Sequence, residues 1–255
     1  MSRQDVIIPM PQGEARAFVF TPDQGQGQGP WPTVLFYMDG PGIRPGLFEM
    51  GERLASHGYY VLLPDMFWRL GAYPPLNPGE LLSKPELRAE LFGKFLPSTS
   101  PEKSMQDTAV FLDWLARQPK AKADKVGVTG YCMGAGMALR AAGTFPDRIA
   151  AAGCFHGSNL ATDAPESPHR LAPRIKAKLL VAGGDEDENF DDAQCERLAR
   201  ALKDAGVDAE VTIYRGARHG YAPPDMPVYD RDASERHWRE LLALFDATLK
   251  QPAMA

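Results

Sequence analysis

Val34-Leu35-Phe36-Tyr37-Met38 is a nearly all-apolar run, without the polar alternation of a half-solvated strand. Such a run reads as a strand buried on both faces, the environment of a parallel sheet. Tyr59 to Leu63 repeats the pattern and ends at Pro64-Asp65. Lys125 to Thr129, Ile149 to Phe155, Lys178 to Ala182 and Ala209 to Tyr214 read as further strands. Helical spacing returns between them. It shows in Leu47, Met50 and Leu54 before Gly58, and in Met105, Ala109, Leu112 and Leu115 after Ser100-Pro101-Glu102. Small residues from Met133 to Ala142, then Leu198, Ala201, Leu202 and Ala205, and finally Trp238, Leu242, Phe245 and Leu249 mark three more helices. Strands alternating with helices predict an α/β fold, a mostly parallel central sheet of about seven to eight strands with helices on both faces.

Two segments depart from that rhythm. Val6 to Met10 and Ala15 to Phe20, separated by Pro11-Gln12-Gly13, predict an N-terminal antiparallel hairpin. Gly71 to Pro97 is rich in Pro, Leu and Glu without sustained period. It predicts an irregular excursion with one short helix around Glu86 to Lys94. Gln24 to Pro30 is low in complexity but too short to link domains, so residues 1–255 read as one domain.

Composition narrows the partners. A net charge of −5 with no Lys/Arg-rich run argues against nucleic acid and leaves a small-molecule or protein partner. No stretch approaches the ~20 apolar residues that span a bilayer. Met1-Ser2-Arg3-Gln4-Asp5 is followed by no apolar segment of a signal peptide, so a cytoplasmic location is expected. Cys132, Cys154 and Cys195 form no CxxC pair and read as free thiols in a reducing compartment. No coiled-coil heptad or large apolar stripe speaks to oligomeric state.

The sharpest chemical signal is Gly130-Tyr131-Cys132-Met133-Gly134, between a predicted strand and a predicted helix. This is a nucleophile-elbow pattern with Cys where Ser is usual. The turn is so tight that residues two before and two after the nucleophile must be small, and Gly130 and Gly134 are. It also sets the side chain at a helix N-terminus, where the dipole favours a thiolate or an oxyanion. The N–H of Met133 would supply one oxyanion donor. A tight turn around a buried core cysteine also fits the pentapeptide; the strand–turn–helix context favours catalysis.

A Cys nucleophile needs a base and an orienting acid. His219, in Arg215-Gly216-Ala217-Arg218-His219-Gly220-Tyr221, directly follows the last predicted strand, at the edge where open α/β sheets gather ligands. His57, His156, His169 and His237 read as structural. The acid is over-supplied: Gly183-Gly184-Asp185-Glu186-Asp187-Glu188 follows the preceding strand. Spacing from the glycines favours Asp187, with Asp185 and Glu186 as alternatives, to hold the imidazole tautomer.

With these motifs, and Gly58-Tyr59 through Leu63-Pro64-Asp65, the chain resembles the dienelactone hydrolase family of α/β-hydrolases along nearly its whole length. The resemblance implies a carboxylic ester or lactone hydrolase of the carboxymethylenebutenolidase type. It implies a Cys132–His219–Asp187 triad and needs no metal or organic cofactor. It further implies that Asp39, one methylene shorter than the family's glutamate, tunes the Cys132 thiol, and that the Gly40 N–H completes the oxyanion hole. Turn chemistry in Asp39-Gly40-Pro41-Gly42 is the competing reading of Asp39. The family arginine four residues past the histidine is replaced by Pro223, leaving Arg44, Arg69, Arg88 and Arg218 as candidates to hold an anion. Tyr37, Phe67, Trp68 and Tyr221 are candidates for an apolar substrate pocket, alongside Arg88. Cys154 and Cys195 read as inert core residues. A different class of function also fits: a non-hydrolytic α/β-hydrolase scaffold that binds a small ligand or senses oxidants through Cys132.

Overall fold

The computed structural model describes residues 2–23, 25, 27–185 and 187–250. The N-terminal hairpin is longer than its apolar cores: β1 (Ser2–Met10) and β2 (Gly13–Thr21) pair antiparallel from Ser2↔Thr21 to Met10↔Gly13. The chain then runs through β3 (Trp31–Tyr37), α1 (Pro45–Ser56) and β4 (Tyr60–Pro64). Before the next strand come α2 (Pro78–Ser83), α3 (Pro85–Glu90), a π-helical turn (Leu91–Phe95), α4 (Leu96–Ser98) and α5 (Pro101–Leu115). The remainder alternates β5 (Ala121–Tyr131), α6 (Met133–Thr144), β6 (Ile149–Phe155), β7 (Lys178–Gly184), α7 (Asp192–Asp204), β8 (Ala209–Tyr214) and α8 (Arg231–Leu249).

The eight strands form one sheet in the order β1-β2-β4-β3-β5-β6-β7-β8. The six strands from β3 onward are parallel, and β2 joins them antiparallel to β4. From β3 the chain crosses one way to β4, then returns past it to β5 and continues the other way. Right-handed crossovers in opposite directions put their helices on opposite faces, so α1 lies across the sheet from α6. The last helix shares the α1 face, where Arg53 and Glu235 pair at 2.6 Å. The reversal makes a topological switch point between β3 and β5, the crevice where open α/β sheets place their ligands.

Local chemistry explains the helix starts. Ser100 caps α5 by accepting from the Lys103 N–H, with Pro101 at the first position; Asp191 and Asp230 cap α7 and α8 in the same way. In the excursion, Pro78 and Pro85 each open a helical turn, and Asn77 accepts from the Glu80 N–H at 3.1 Å. The helix expected around Glu86 to Lys94 is formed by α3 and the π-helical turn that continues it, and Pro78 opens a further helix, α2, before it. β5 also begins before the expected Lys125. Its first residues are mostly solvent-facing but pair with β3 at Trp31↔Ala121, a register shift away from the rest. No helix of the described residues is long and apolar enough to cross a membrane.

Candidate active site

Cys132 stands between β5 and α6 with φ +55° and ψ −116°, a backbone region that side chains rarely occupy. Its N–H donates to the Phe155 carbonyl at 3.1 Å, and its own carbonyl accepts from Ala135 N–H, so both ends of the turn are fixed. The flanking glycines are demanded by sterics. A Cβ on Gly130 would lie 1.9 Å from the Gly134 carbonyl oxygen; one on Gly134 would lie 2.5 Å from that of Met38. The end of β3 therefore packs directly on the first turn of α6, and Asp39-Gly40 follows beside the elbow.

His219 comes from the loop after β8. That loop can approach because β7 ends in glycine: a Cβ on Gly184 would sit 3.0 Å from the His219 nitrogen. His219 Nδ1 lies 2.5 Å from Asp187 Oδ2. The Asp187 side chain is 1% exposed, and its other oxygen accepts from the Asn189 N–H at 3.0 Å. Burial alone would lower the His219 pKa. The adjacent Cys132 charge and hydrogen bonds to Asp187 and Cys132 outweigh it and raise it to about 10. The imidazole thus stands between the Cys132 sulfur and the carboxylate that holds its Nδ1. Of the alternative acids, Asp185 accepts from Arg215 at 3.0 Å and from the Gly216 N–H at 2.9 Å; Glu186 lies outside the described residues.

Other residues singled out from sequence have structural partners. Asp39 is 1% exposed and both its oxygens accept from Arg44, at 2.5 and 2.8 Å. Burial pushes the Asp39 carboxyl up from its ordinary range, against the pull of the Arg44 charge. Arg44 also reaches Asp225 at 3.0 Å, which in turn accepts from the Gly46 N–H in the first turn of α1. This guanidinium is spent on two carboxylates and ties the β3 loop to the loop that carries His219. Arg69 pairs bidentately with Asp107, which also accepts from the Trp68 indole N–H at 3.1 Å. Arg88 is exposed and donates to the Leu82 carbonyl, while Arg218 is exposed on the histidine loop. Tyr37 shares a hydrogen bond with Thr108 at 2.7 Å, and Tyr221 donates to the Ala182 carbonyl at 3.3 Å. Phe67 packs edge-on against Tyr73 and Phe95. Tyr37, Phe67 and Tyr221 are fully buried, and Trp68 nearly so.

His156 was read from sequence only as a strand-end residue. It is fully buried with φ +36°, and its ring lies edge-on to His219 at 5.3 Å and to Tyr221 at 5.1 Å. Neither ring nitrogen has a hydrogen-bond partner among the described residues. Cys154 is buried as expected, whereas Cys195 is partly exposed. It sits on the flank of α7, and only Leu198 and Leu202 of that helix are fully covered. Among the described residues no group of three or more His, Cys, Asp or Glu side chains could hold a metal ion.

A strained residue at a strand–turn–helix corner, set at the switch point of this sheet, marks the α/β-hydrolase fold. Within that fold the chain belongs to the dienelactone hydrolase family, whose sequence profile matches residues 15–249. A Yersinia pestis protein provisionally named a carboxymethylenebutenolidase is 26% identical over 245 residues, 94% of this chain and 86% of that protein. The crystal structure of a Klebsiella pneumoniae protein, provisionally a dienelactone hydrolase, matches with TM-score 0.82 and 22% identity over 96% of this chain and 98% of that one. A dienelactone hydrolase-like promiscuous phosphotriesterase from metagenomic libraries matches with TM-score 0.76 and 24% identity, covering 97% and 98%. At these identities the structural matches establish the fold.

Proposed function

We propose that the chain, acting as one catalytic unit, hydrolyses a carboxylic ester or lactone of a small molecule through Cys132, His219 and Asp187. The observation that carries this reading is the strained Cys132 at the α6 N-terminus, interacting with a histidine that Asp187 orients at 2.5 Å. With the shared proton already held on His219, the Cys132 sulfur attacks the carbonyl carbon. The N–H groups of Met133 and Gly40 receive the developing oxyanion. The imidazolium then protonates the leaving oxygen as the carbon–oxygen bond breaks, giving a thioester on Cys132. Water attacks that thioester while His219 takes its proton, and collapse releases the carboxylic acid and the thiol. Asp187 keeps Nδ1 protonated throughout, so that Nε2 is the atom that exchanges protons with Cys132.

Asp39 influences the thiol through its ion pair with Arg44, which offsets its charge close to the elbow. A thiol nucleophile works in its reduced form, which fits a reducing cytoplasm and three free cysteines. The test is turnover of a short-chain aryl ester and an enol lactone by the wild type and by Cys132→Ala. Loss of at least about a thousandfold in kcat is expected, and equal rates overturn the nucleophile assignment. A reactive thiol without turnover of either substrate favours the ligand-binding or oxidant-sensing scaffold instead.

A further inference from the structure

Phe155 and His156, where β6 ends, each touch one member of the proposed nucleophile–base pair. The Phe155 carbonyl accepts from the Cys132 N–H at 3.1 Å, and the His156 ring lies edge-on to the His219 ring at 5.3 Å. Two consecutive residues of one strand end thus bear on where the nucleophile's backbone and the imidazole stand relative to each other.

His156 is itself fixed. Its N–H donates to the Ala182 carbonyl of β7 at 2.8 Å, the same carbonyl that accepts from the Tyr221 hydroxyl at 3.3 Å. Tyr221, two residues past His219, packs edge-on to the His156 ring at 5.1 Å, and Tyr131, just before Cys132, tilts against it at 5.8 Å. The backbone at His156 holds φ +36°, a conformation that costs a non-glycine residue free energy and persists only where its surroundings impose it.

The ring is wholly buried, yet neither nitrogen meets a hydrogen-bond partner among the described residues. Buried polar side chains are normally paired, so what this one contributes comes from its ring contacts. Burial first, then the neighbouring His219, His237 and Arg44, hold its pKa well below the ordinary histidine value. It therefore stays neutral beside a protonated His219 and does not repel it. The titratable and charged groups that face His156 are Tyr131 on β5, His219 and Tyr221 on the histidine loop, His237 on α8 and Arg44 on the loop after β3. His219 faces Cys132 and Asp187 as well.

We propose that His156 is a positioning residue, whose ring is the wall that holds the His219 imidazole in register with Cys132. The inference rests on the hydrolase reading above and deepens it. It acts through the flat ring and not through the ring nitrogens, so a phenyl group can take its place and an amide cannot.

The experiment compares the wild type with His156→Phe, His156→Gln and His156→Ala. The first readout is alkylation of Cys132 by iodoacetamide at about pH 6 and about pH 9, followed by mass on the Cys132 peptide so that Cys195 does not contribute. A histidine held against the sulfur supports the thiolate at the lower pH, so a displaced one reduces the ratio of the two rates. That ratio is expected to fall by about fivefold or more in His156→Gln and His156→Ala, and to stay within about twofold of wild type in His156→Phe. Loss of stability alone leaves the ratio of the folded protein where it was. In hydrolysis of an aryl ester, kcat should fall by about tenfold to a hundredfold in the Gln and Ala variants with KM within about threefold, while His156→Phe keeps about a third of kcat or more. If His156→Ala does not fold, the contrast between Phe and Gln carries the test. A wild-type alkylation ratio in His156→Gln, or a loss in His156→Phe that His156→Gln does not share, overturns the proposal. If the wild type turns over no ester, the hydrolase reading fails and the alkylation ratio alone decides the role of His156.

Discussion

Asp187 Oδ2 lies 2.5 Å from His219 Nδ1, and the carboxylate that makes this bond is almost wholly removed from water. Asp185, two residues earlier, faces Arg215 instead. Replacing Asp187 with Asn removes the acceptor that fixes the tautomer, so kcat is expected to fall by about a thousandfold to ten-thousandfold. Asp185→Asn should leave kcat within a few-fold. Steady-state kinetics on an aryl ester separates the two, and a mild Asp187→Asn phenotype removes that residue from the triad.

Gly134→Ala should damage both stability and turnover. Its Cβ would enter the 2.5 Å gap to the Met38 carbonyl, and backbone on both sides must move, at a cost of about 1–3 kcal/mol. Gly136→Ala, whose Cβ meets only a Leu160 methyl at 3.8 Å, should instead stabilise the helix by about 0.5–1 kcal/mol. Urea midpoints of the two variants are expected to shift in opposite directions.

His219 should stay protonated to about pH 10 in the wild type, because the neighbouring sulfur and Asp187 outweigh its burial. Its folded value lies above the ordinary one, so its contribution to stability is complete below about 6.5 and is lost as pH rises through 10. Cys132→Ala removes the charge and one hydrogen bond, so its titration should move down. Nitrogen-15 spectra of labelled histidine across pH 5–11 report this directly, and an unmoved titration contradicts the assigned coupling.

Two other histidines act with the opposite sign. His237 accepts from Tyr131 or donates to it at 2.8 Å, contacts the Ser234 carbonyl, and is pushed by burial to about 3. Burial holds His156 well below its ordinary value too. Both stay neutral when folded but take up protons when unfolded. Stability is therefore full above about pH 6.5 and falls by about 1.4 kcal/mol per pH unit for each histidine as pH drops towards the folded values. Comparison of His156→Phe with the wild type at pH 7 and pH 5 should show the variant losing less.

The Arg44–Asp39 pair gives a double-mutant prediction. Arg44→Met leaves the buried Asp39 carboxylate unpaired and should cost about 3–5 kcal/mol. Adding Asp39→Asn should restore part of it, a coupling visible in denaturation midpoints. Additive effects would show that the pair contributes no mutual stabilisation.

The buried parallel strands were legible because a strand covered on both faces leaves a continuous apolar run, as in Val34 to Met38. The elbow was legible because close backbone packing at Gly130 and Gly134 excludes any side chain there. Less visible was the start of β5, where Lys122, Asp124 and Lys125 face solvent and only the pairing with β3 makes a strand of them. In the excursion from Gly71 the short helix around Glu86 to Lys94 was legible, whereas the helix that Asn77-Pro78 starts was not singled out.

Within the site, local sequence named the residues that the backbone itself demands: Cys132 at its turn, and a histidine and acids after successive strand ends. Partner choice belonged to the tertiary structure. The sequence offered Asp185, Glu186 and Asp187 for one role and five basic or aromatic residues for a pocket. Packing then gave Asp187 to His219, Arg44 to Asp39 and Asp225, and Trp68 to Asp107. A turn is fixed by the sterics of a few neighbouring residues. A hydrogen bond between side chains 32 or 181 positions apart exists only once the sheet has brought those segments together.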